Sequence, residues 1–293
     1  MSLFEMKAEV PAAESERMEL LLQEWGRMEW SLLEDVIGRQ AWVVGIFPNR
    51  EAGEQGWAEL RAELTAAGVA TNGAPVEREL ADEDWKDSYK AHFKAWKFGL
   101  HNWVPLWERD TFKLPEGEQV LWLDPGMAFG TGNHETTRLC CERLVKFAEE
   151  KGAGGRVVDA GCGSGILALS AAKLGFGRVE AFDNDPVAIE VSQENGALNG
   201  LDDRVDFHAG DLVTGLAGRE ADLVLANIQA DVLIRFACEL LRAVTPGGLL
   251  VMSGILTAEL PRVRETFAGM APGWEVDSRT LGEWSDLTLR RPD

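Results

Sequence analysis

The chain has 293 residues, a formal net charge of −20 and 45% hydrophobic residues, with no secretory signal in MSLFEMKAEV and no apolar run of membrane-spanning length. Such acidity repels phosphate backbones and counts against direct nucleic-acid binding or a membrane surface; it would attract a basic protein, although it also serves solubility alone. Cys140, Cys141, Cys162 and Cys238 form no C-x-x-C pair and offer no zinc spacing with four scattered histidines, so no metal and a reduced, cytoplasmic setting are expected.

Leu3 to Val10 alternates apolar and polar residues and predicts a strand that Pro11 ends. Ala13 to Trp25 carries Met18, Leu21, Leu22 and Trp25 at helical spacing. Trp30 to Val36 and Ala41 to Phe47 read as strands, and Pro48-Asn49 as a stop. A helix near Glu51 to Ala67, with Trp57, Leu60 and Leu64 on one face, precedes a strand over Ala74 to Leu80. The order βαββαβ predicts a small α+β ferredoxin-like domain over residues 1–80. It is acidic and carries no catalytic constellation, which suits substrate recognition.

Residues 81–118 read as a linker helix and an extended segment. Asp82 is placed to cap a helix running to Trp96, with Trp85, Tyr89, His92, Phe93 and Trp96 as an aromatic stripe. The stripe is read as a packing face rather than a ligand surface. Lys97 to Trp107 is expected to be extended and able to pair with the next strand. His101 within it is read as structural rather than catalytic.

The third region, 119–293, opens with a strand at Gln119 to Leu123 and a glycine-rich loop, Asp124 to Thr137, leading into a helix to about Glu150. Glycines around Phe129, Thr131 and His134 suggest a loop lying over a ligand, where N–H groups at a helix start meet a carboxylate. Next, Val157 to Asp185 reads as strand, glycine turn, helix, strand and acid. Glycines stand at 161, 163 and 165, Asp159 precedes the turn, and Asp183 closes the second strand about 20 residues on. Such a βαβ unit binds an adenosine-like ligand, with the terminal acid on the ribose hydroxyls. A dinucleotide fingerprint needs a glycine where Ile166 stands. Asp159 would repel a phosphate and suits an ammonium. The pattern therefore fits S-adenosyl-L-methionine.

Beyond Asp183, Asn184-Asp185-Pro186 starts a helix to about Leu198. A strand over Arg204 to His208 ends near Asp211, which either meets the adenine edge or caps a turn. Ala221 to Ala226 is a strand buried on both faces and ends at Asn227. A single helix is expected over Val232 to Ala243, then a turn at Thr245 to Gly248 and a strand over Leu249 to Ser253. Gly254 to Thr257 is expected to open another helix. Trp274 to Ser278 and Leu287 to Arg291 should close the sheet as an antiparallel pair, with Trp284 read as core rather than as a wall of the site.

These residues resemble the ribosomal protein L-eleven methyltransferases (PrmA-like enzymes). The resemblance rests on LDPGMAFGTGNHETT (Leu123 to Thr137), DAGCGSGILALSAAKLG (Asp159 to Gly175), DNDPVAI (Asp183 to Ile189), ANI (Ala226 to Ile228), SGIL (Ser253 to Leu256), DEDWKDSYKAHFKAWKFG (Asp82 to Gly99) and GEW (Gly282 to Trp284). It implies a protein-lysine N-methyltransferase whose ferredoxin-like domain precedes a seven-strand, Rossmann-like class I methyltransferase domain. It also implies cofactor positions at Thr137, Gly161, Asp183 and Asn227. A basic ribosomal protein would be the partner. Asn133 and Glu135 stand where the family usually has Thr and Pro, and Gln229 stands where it has Leu; all three lie near the expected methyl-acceptor site.

Together the cofactor site reads as Asp159, Gly161, Gly163, Asp183, Asn184 and Asp211, with Thr137 and Asn227 added by the resemblance. Methyl transfer to an amine needs positioning more than acid–base chemistry. The Asn227 oxygen is the candidate to orient the amine, or else a cap after its strand, and His134 is the candidate base. A methyltransferase for another protein's lysines, one for a nucleic-acid amino group and a non-catalytic binding module remain open. The nucleic-acid class usually continues Asn-Pro-Pro-aromatic, whereas Asn227 is followed by Ile-Gln-Ala. A monomer is expected.

Overall fold

The computed structural model describes residues 3–25, 27, 30–35, 40–80, 94–124 and 134–293. The chain divides into two compact units between Tyr89 and Lys90. Most of the helix expected over Asp82 to Trp96, and residues 125–133 of the glycine-rich loop, lie outside the described residues. Among the described residues no helix is long and apolar enough to cross a membrane.

The first unit runs β1 (Leu3–Val10), α1 (Ser15–Glu24), β2 (Trp30–Asp35), β3 (Gln40–Phe47), α2 (Arg50–Ala66) and β4 (Asn72–Leu80). Its sheet is antiparallel in the order β2-β3-β1-β4. The period-2 pattern buries Phe4, Met6, Ala8 and Val10 of β1 with Ala41, Val43 and Phe47 of β3. Met18 and Leu22 of α1 and Trp57, Leu60 and Leu64 of α2 complete that core. Asn49 is a start signal rather than a stop: its Oδ1 accepts the Ala52 N–H at 2.9 Å and caps α2.

The second unit begins with β5 (Trp96–Phe98), β6 (His101–Pro105) and β7 (Gln119–Leu123). The segment expected to be extended and to pair with the next strand does so through β6, which pairs in parallel with β7, and it also turns at Gly99, where φ is 58°, to form a hairpin with β5. Trp96 stacks on Trp103 at 4.1 Å, and Trp103 Nε1 donates to Ser170 Oγ at 2.8 Å.

A larger sheet follows. Its elements are α3 (Glu135–Lys151), β8 (Arg156–Ala160), α4 (Ile166–Leu174), β9 (Arg178–Asp183), α5 (Pro186–Leu198), β10 (Val205–Ala209), β11 (Ala221–Asn227), α6 (Ala230–Arg235), α7 (Ala237–Arg242), β12 (Val244–Leu256), α8 (Leu260–Met270), β13 (Glu275–Leu281) and β14 (Trp284–Arg290). The strand order is β10-β9-β8-β11-β12-β14-β13. The first five strands are parallel, and β14 is antiparallel to both its neighbours. Alternate residues of each central strand serve opposite faces. Val157, Leu223, Leu225, Leu249 and Val251 pack with α3 and α4. Val158, Val224, Ala226, Leu250 and Met252 pack with α6, α7 and α8. Strands buried on both faces read as short continuous apolar runs between turn residues, which is how the sequence shows them without any alternation.

Three expectations fail locally. The helix over Val232 to Ala243 is two helices broken at Phe236 (φ −110°, ψ 24°), whose ring packs against the same core as Leu233 and Leu240. The turn at Thr245 to Gly248 is a bulge within β12, because the pairing with β11 resumes at Leu223 and Leu249. No helix opens at Gly254. There β12 continues to Leu256, with Ile255 buried opposite Ser285, and α8 starts at Leu260.

An ion cluster fastens α3 across the antiparallel edge. Asp286 of β14 is fully buried. Arg143 of α3 donates to it twice, at 2.8 and 2.9 Å, and Arg279 of β13 donates from its backbone N–H at 2.7 Å and from its guanidinium at 3.0 and 3.1 Å. Arg279 also reaches Glu142 and the Leu139 carbonyl, each at 2.9 Å. A buried charge is tolerated only when so fully paired. Asp286→Ala strands two arginines and should destabilise the protein by about 3–5 kcal/mol, read as a lower urea midpoint at unchanged slope.

Candidate functional site

The chain runs outward from β8 to β9 and β10, then crosses back to place β11 on the other side of β8. At such a reversal the loops after the two central strands part and leave a crevice. Gly161 follows β8 and Asn227 ends β11, so both stand at this crevice.

Ile228 is held between two glycines. A Cβ on Gly161 (φ 81°) would sit 2.6 Å from Ile228 Cγ2, and one on Gly254 (φ 81°) would sit 2.5 Å from the Ile228 carbonyl oxygen. Both glycines adopt a left-handed backbone that other residues resist. Ile228 N–H also donates to the Ser253 carbonyl at 3.2 Å. These contacts fix the backbone of Asn227 beside the turn.

The turn is tied to the next strand. The Gly161 and Cys162 N–H groups both donate to the Phe182 carbonyl, at 2.9 and 3.0 Å. Asp183 Oδ2 accepts the Gly163 N–H at 2.9 Å and its Oδ1 accepts the Asp185 N–H at 3.0 Å. The carboxylate is thus pinned at the end of β9, and each oxygen keeps lone-pair capacity for a hydroxyl. Asn184 beside it is exposed. Gly210 N–H donates to the Asp183 carbonyl at 2.9 Å, which brings Asp211 to the same rim. Asp211 is in a turn: its Oδ1 accepts from Val213 N, Thr214 N and Thr214 Oγ1 at 3.0, 2.7 and 2.8 Å. Those bonds, foremost the Thr214 N–H, hold its carboxyl below the ordinary range.

Asp159 is fully buried at the end of β8. Its Oδ2 accepts the Ala168 N–H at 3.0 Å, and its Oδ1 has no partner among the described residues. Burial pushes its pKa up to about 7, the Ala168 bond opposes that rise, and the nearby Asp183 charge adds to it.

At the other side of the crevice, Asn227 Nδ2 donates to Thr137 Oγ1 at 3.3 Å. Asn227 Oδ1 is buried and has no partner among the described residues. Thr137 is fully buried in the first turn of α3. His134 caps that helix; its Nδ1 lies 2.9 Å from Thr136 Oγ1 and 3.4 Å from Thr136 N. The His134 ring meets Trp284 edge to face at 5.0 Å. Trp284 is therefore half-buried beside α3's N-terminus rather than wholly core, because it sits at the end of its hairpin. Glu135 lies against that hairpin at Gly282. His101 stands apart, half-buried at the first position of β6 near Trp103, and burial lowers its pKa.

Asn195 of α5 and Asn199, which caps its end, hold a place in the site that sequence reading did not give them. Asn195 is buried; its Oδ1 accepts the Asp124 N–H at 2.9 Å, and its Nδ2 donates to the Asp124 and Ser164 carbonyls at 3.1 and 3.0 Å. Asn199 makes the equivalent pair with Trp122, at 2.9 and 2.7 Å. One helical turn apart, they satisfy the edge of β7 as a further strand would. The only signal was their i, i+4 spacing, which also suits a helix end.

The pKa of Asp159 has a measurable consequence. An unfolded aspartate ionises near ~3.9, so the ligand-free protein loses stability from this group as pH rises from about 4 to about 7. Asp159→Asn keeps an acceptor for Ala168 and removes the charge. Its gain in Tm over wild type should grow as pH rises from about 4 to about 7 and level off above that, and a gain independent of pH would refute the assignment.

Residues 3–292 match the family model described as ribosomal protein L11 methyltransferase (PrmA). A ribosomal protein L11 methyltransferase of Pelobacter propionicus is 44% identical over 220 residues, covering 74% of this chain and 70% of that protein. One of Pelotomaculum thermopropionicum is 40% identical over 250 residues, covering 85% and 79%. The match to one of Streptococcus equi subsp. zooepidemicus, 39% identical, spans 66% of that protein. Among solved structures, a ribosomal protein L11 methylase of Lactobacillus delbrueckii subsp. bulgaricus has a TM-score of 0.60 and 30% identity, covering 69% of this chain and 100% of that one.

Proposed function

The chain belongs to the ribosomal protein L11 methyltransferase family, and on that premise we propose that it transfers methyl groups from S-adenosylmethionine to amino groups of ribosomal protein L11. The acceptors are lysine side chains, the N-terminal amine, or both. The observation that carries this reading is the Asn227 carboxamide oxygen, buried without a partner among the described residues beside the Gly161 turn.

The residues fit the cofactor. Gly161 leaves no side chain to block the turn, and Gly163 shares its N–H with the Asp183 carboxylate. Asp183 is the group for the ribose hydroxyls, with Asn184 and Asp211 on the same rim. Asp159 Oδ1, lacking a partner among the described residues, suits an ammonium, whose charge would favour the ionised carboxylate. Thr137, also implied by the resemblance, lies against Asn227 rather than in the turn. When bound, S-adenosylmethionine supplies an activated methyl group.

The chain's own task is to present a neutral amine in line with that group. Lysine has a pKa near ~10.4 in water, so a carboxylate beside the amine would hold it charged and unreactive. A neutral oxygen avoids this. Asn227 Oδ1 accepts an N–H of the amine and turns its lone pair away from the amide. His134, a cap on α3 against Trp284, walls this end of the crevice and remains the candidate to take the proton.

The first unit serves as the recognition domain. Its sheet order and two helices on one face support a ferredoxin-like fold, and the acidity of the chain suits a basic substrate. We divide the chain as 1–80, 81–118 and 119–293, with β5 and β6 of the middle segment paired onto β7. The protein is taken to work as a monomer in the cytoplasm.

Incubation with labelled methyl donor, purified L11 and ribosomal RNA in separate reactions should label L11 alone; label on RNA would overturn the reading. Asn227→Ala should lower turnover by about 10²–10³-fold. Binding of S-adenosylhomocysteine, read by calorimetry, should weaken far less. Unimpaired turnover in that variant would remove Asn227 from the chemistry.

A further inference from the structure

We propose that Arg138 and Trp96 form the subsite for the carboxylate of S-adenosylmethionine, the second charge of an amino-acid end whose ammonium goes to Asp159. The inference rests on the reading that this cofactor binds in the crevice, and it is independent of the methyl acceptor.

Both residues hold a donor that nothing takes up. Arg138 Nε and Trp96 Nε1 are buried and have no hydrogen-bond partner among the described residues. Trp96 as a whole is only 9% exposed. The Arg138 guanidinium lies over the Trp96 ring, with Cζ 5.5 Å from its centroid, so the two unused donors belong to one stacked pair. Buried donors are left without an acceptor only at a cost in stability, which an incoming acceptor removes.

The pair stands where two helices begin. Arg138 follows Thr137 in the first turn of α3, and Thr137 meets Asn227 at the end of β11. Cys141, three residues on and on the same face as Arg138, meets Ser170 of α4. Trp96 stacks on Trp103, whose Nε1 donates to the same Ser170. Both helices start at the crevice, α4 directly after the glycine turn. One turn back from Cys141 and Ser170, Arg138 stands beside Ile166, the first residue of α4. Helix N-termini favour negative charge, and here two of them begin on either side of the pair.

The first turn of α4 also holds Asp159, through the Ala168 N–H at 3.0 Å. An amino-acid end has its ammonium and its carboxylate on one carbon, so the groups that bind them must stand close together and carry opposite charges. Asp159 and Arg138 meet both conditions around one helical turn. A guanidinium and an indole N–H together suit the two oxygens of a carboxylate.

The test measures binding of two ligands by calorimetry: S-adenosylmethionine, and its decarboxylated form, which keeps the sulfonium and the ammonium and lacks only the carboxylate. Wild type should bind S-adenosylmethionine the more tightly. Arg138→Met keeps a stem over Trp96 and removes the charge. It should weaken S-adenosylmethionine by about 10–100-fold and leave the decarboxylated ligand little changed. Trp96→Phe keeps the ring and removes the N–H; it should weaken S-adenosylmethionine by about 10-fold and again spare the other ligand. Retained binding of the decarboxylated ligand shows that the crevice is folded in each variant. Equal losses for both ligands in Arg138→Met would reduce the arginine to packing and overturn the proposal. Undiminished affinity for S-adenosylmethionine in that variant would overturn it equally. Wild type that binds neither ligand would sink the cofactor reading and this subsite with it, whereas wild type that shows the expected pattern yet fails to methylate L11 would count against the acceptor alone.

Discussion

Ile228 lodged between Gly161 and Gly254 is the contact on which the crevice depends. The loop after β8, the end of β11 and the bulge of β12 meet at this one side chain and its carbonyl. Neither glycine has room for a methyl group, and both have a left-handed backbone. A larger residue at either would push the three strand ends apart. The spacing between the glycine turn and Asn227 is therefore set by backbone packing, the stiffest element available in a close-packed interior.

On either side of that wedge the two halves of the crevice are built differently. The half at β8, β9 and β10 is made of backbone N–H groups and acids: Gly163 and Asp185 pin Asp183, Ala168 holds Asp159, and Gly210 ties the rim to β9. The half at β11 carries a carboxamide, a threonine hydroxyl and the His134–Trp284 pair, with Glu135 beside that pair at Gly282. An acid-lined half suits a cationic, hydroxyl-bearing ligand. A neutral carboxamide at the end of β11 suits an amine that has to give up its proton. Much of the remaining fold holds these two halves still. The Asp286 cluster fixes α3, and Asn195 joins the root of the 125–133 loop to the glycine turn.

Most of the larger sheet was legible because its central strands are buried on both faces and its helices are punctuated by glycine and proline. The turn at Gly161 to Gly165, with Asp159 and Asp183 around it, was legible because a tight backbone needs those residue types in that order. Local failures came where tertiary packing overrode local signals. Gly254 looked like a helix start but is a bulge shaped around Ile228. Phe236 breaks a helix whose sequence reads as continuous. Asn49 looked like a stop because Pro48 precedes it, and it is a cap. Trp284 was assigned to the core on its apolarity, whereas its place at a hairpin end leaves it half exposed beside His134.

By itself, the sequence determined the order of elements, the location of the glycine turn and the chemical character of a ligand that is cationic and free of phosphate. Those follow from local rules: the periodicity of buried positions, the backbone freedom of glycine and the charge of the flanking acids. It could not show that Thr137 and Asn227 touch, that Asn195 reaches both Asp124 and Ser164, or that Asp286 is buried under two arginines. Each of these joins residues far apart in the chain through a single hydrogen-bonding side chain. Nothing in the spacing of such residues marks a partner, and only the crossing of β11 beside β8, with α3 packed over both, brings them into reach.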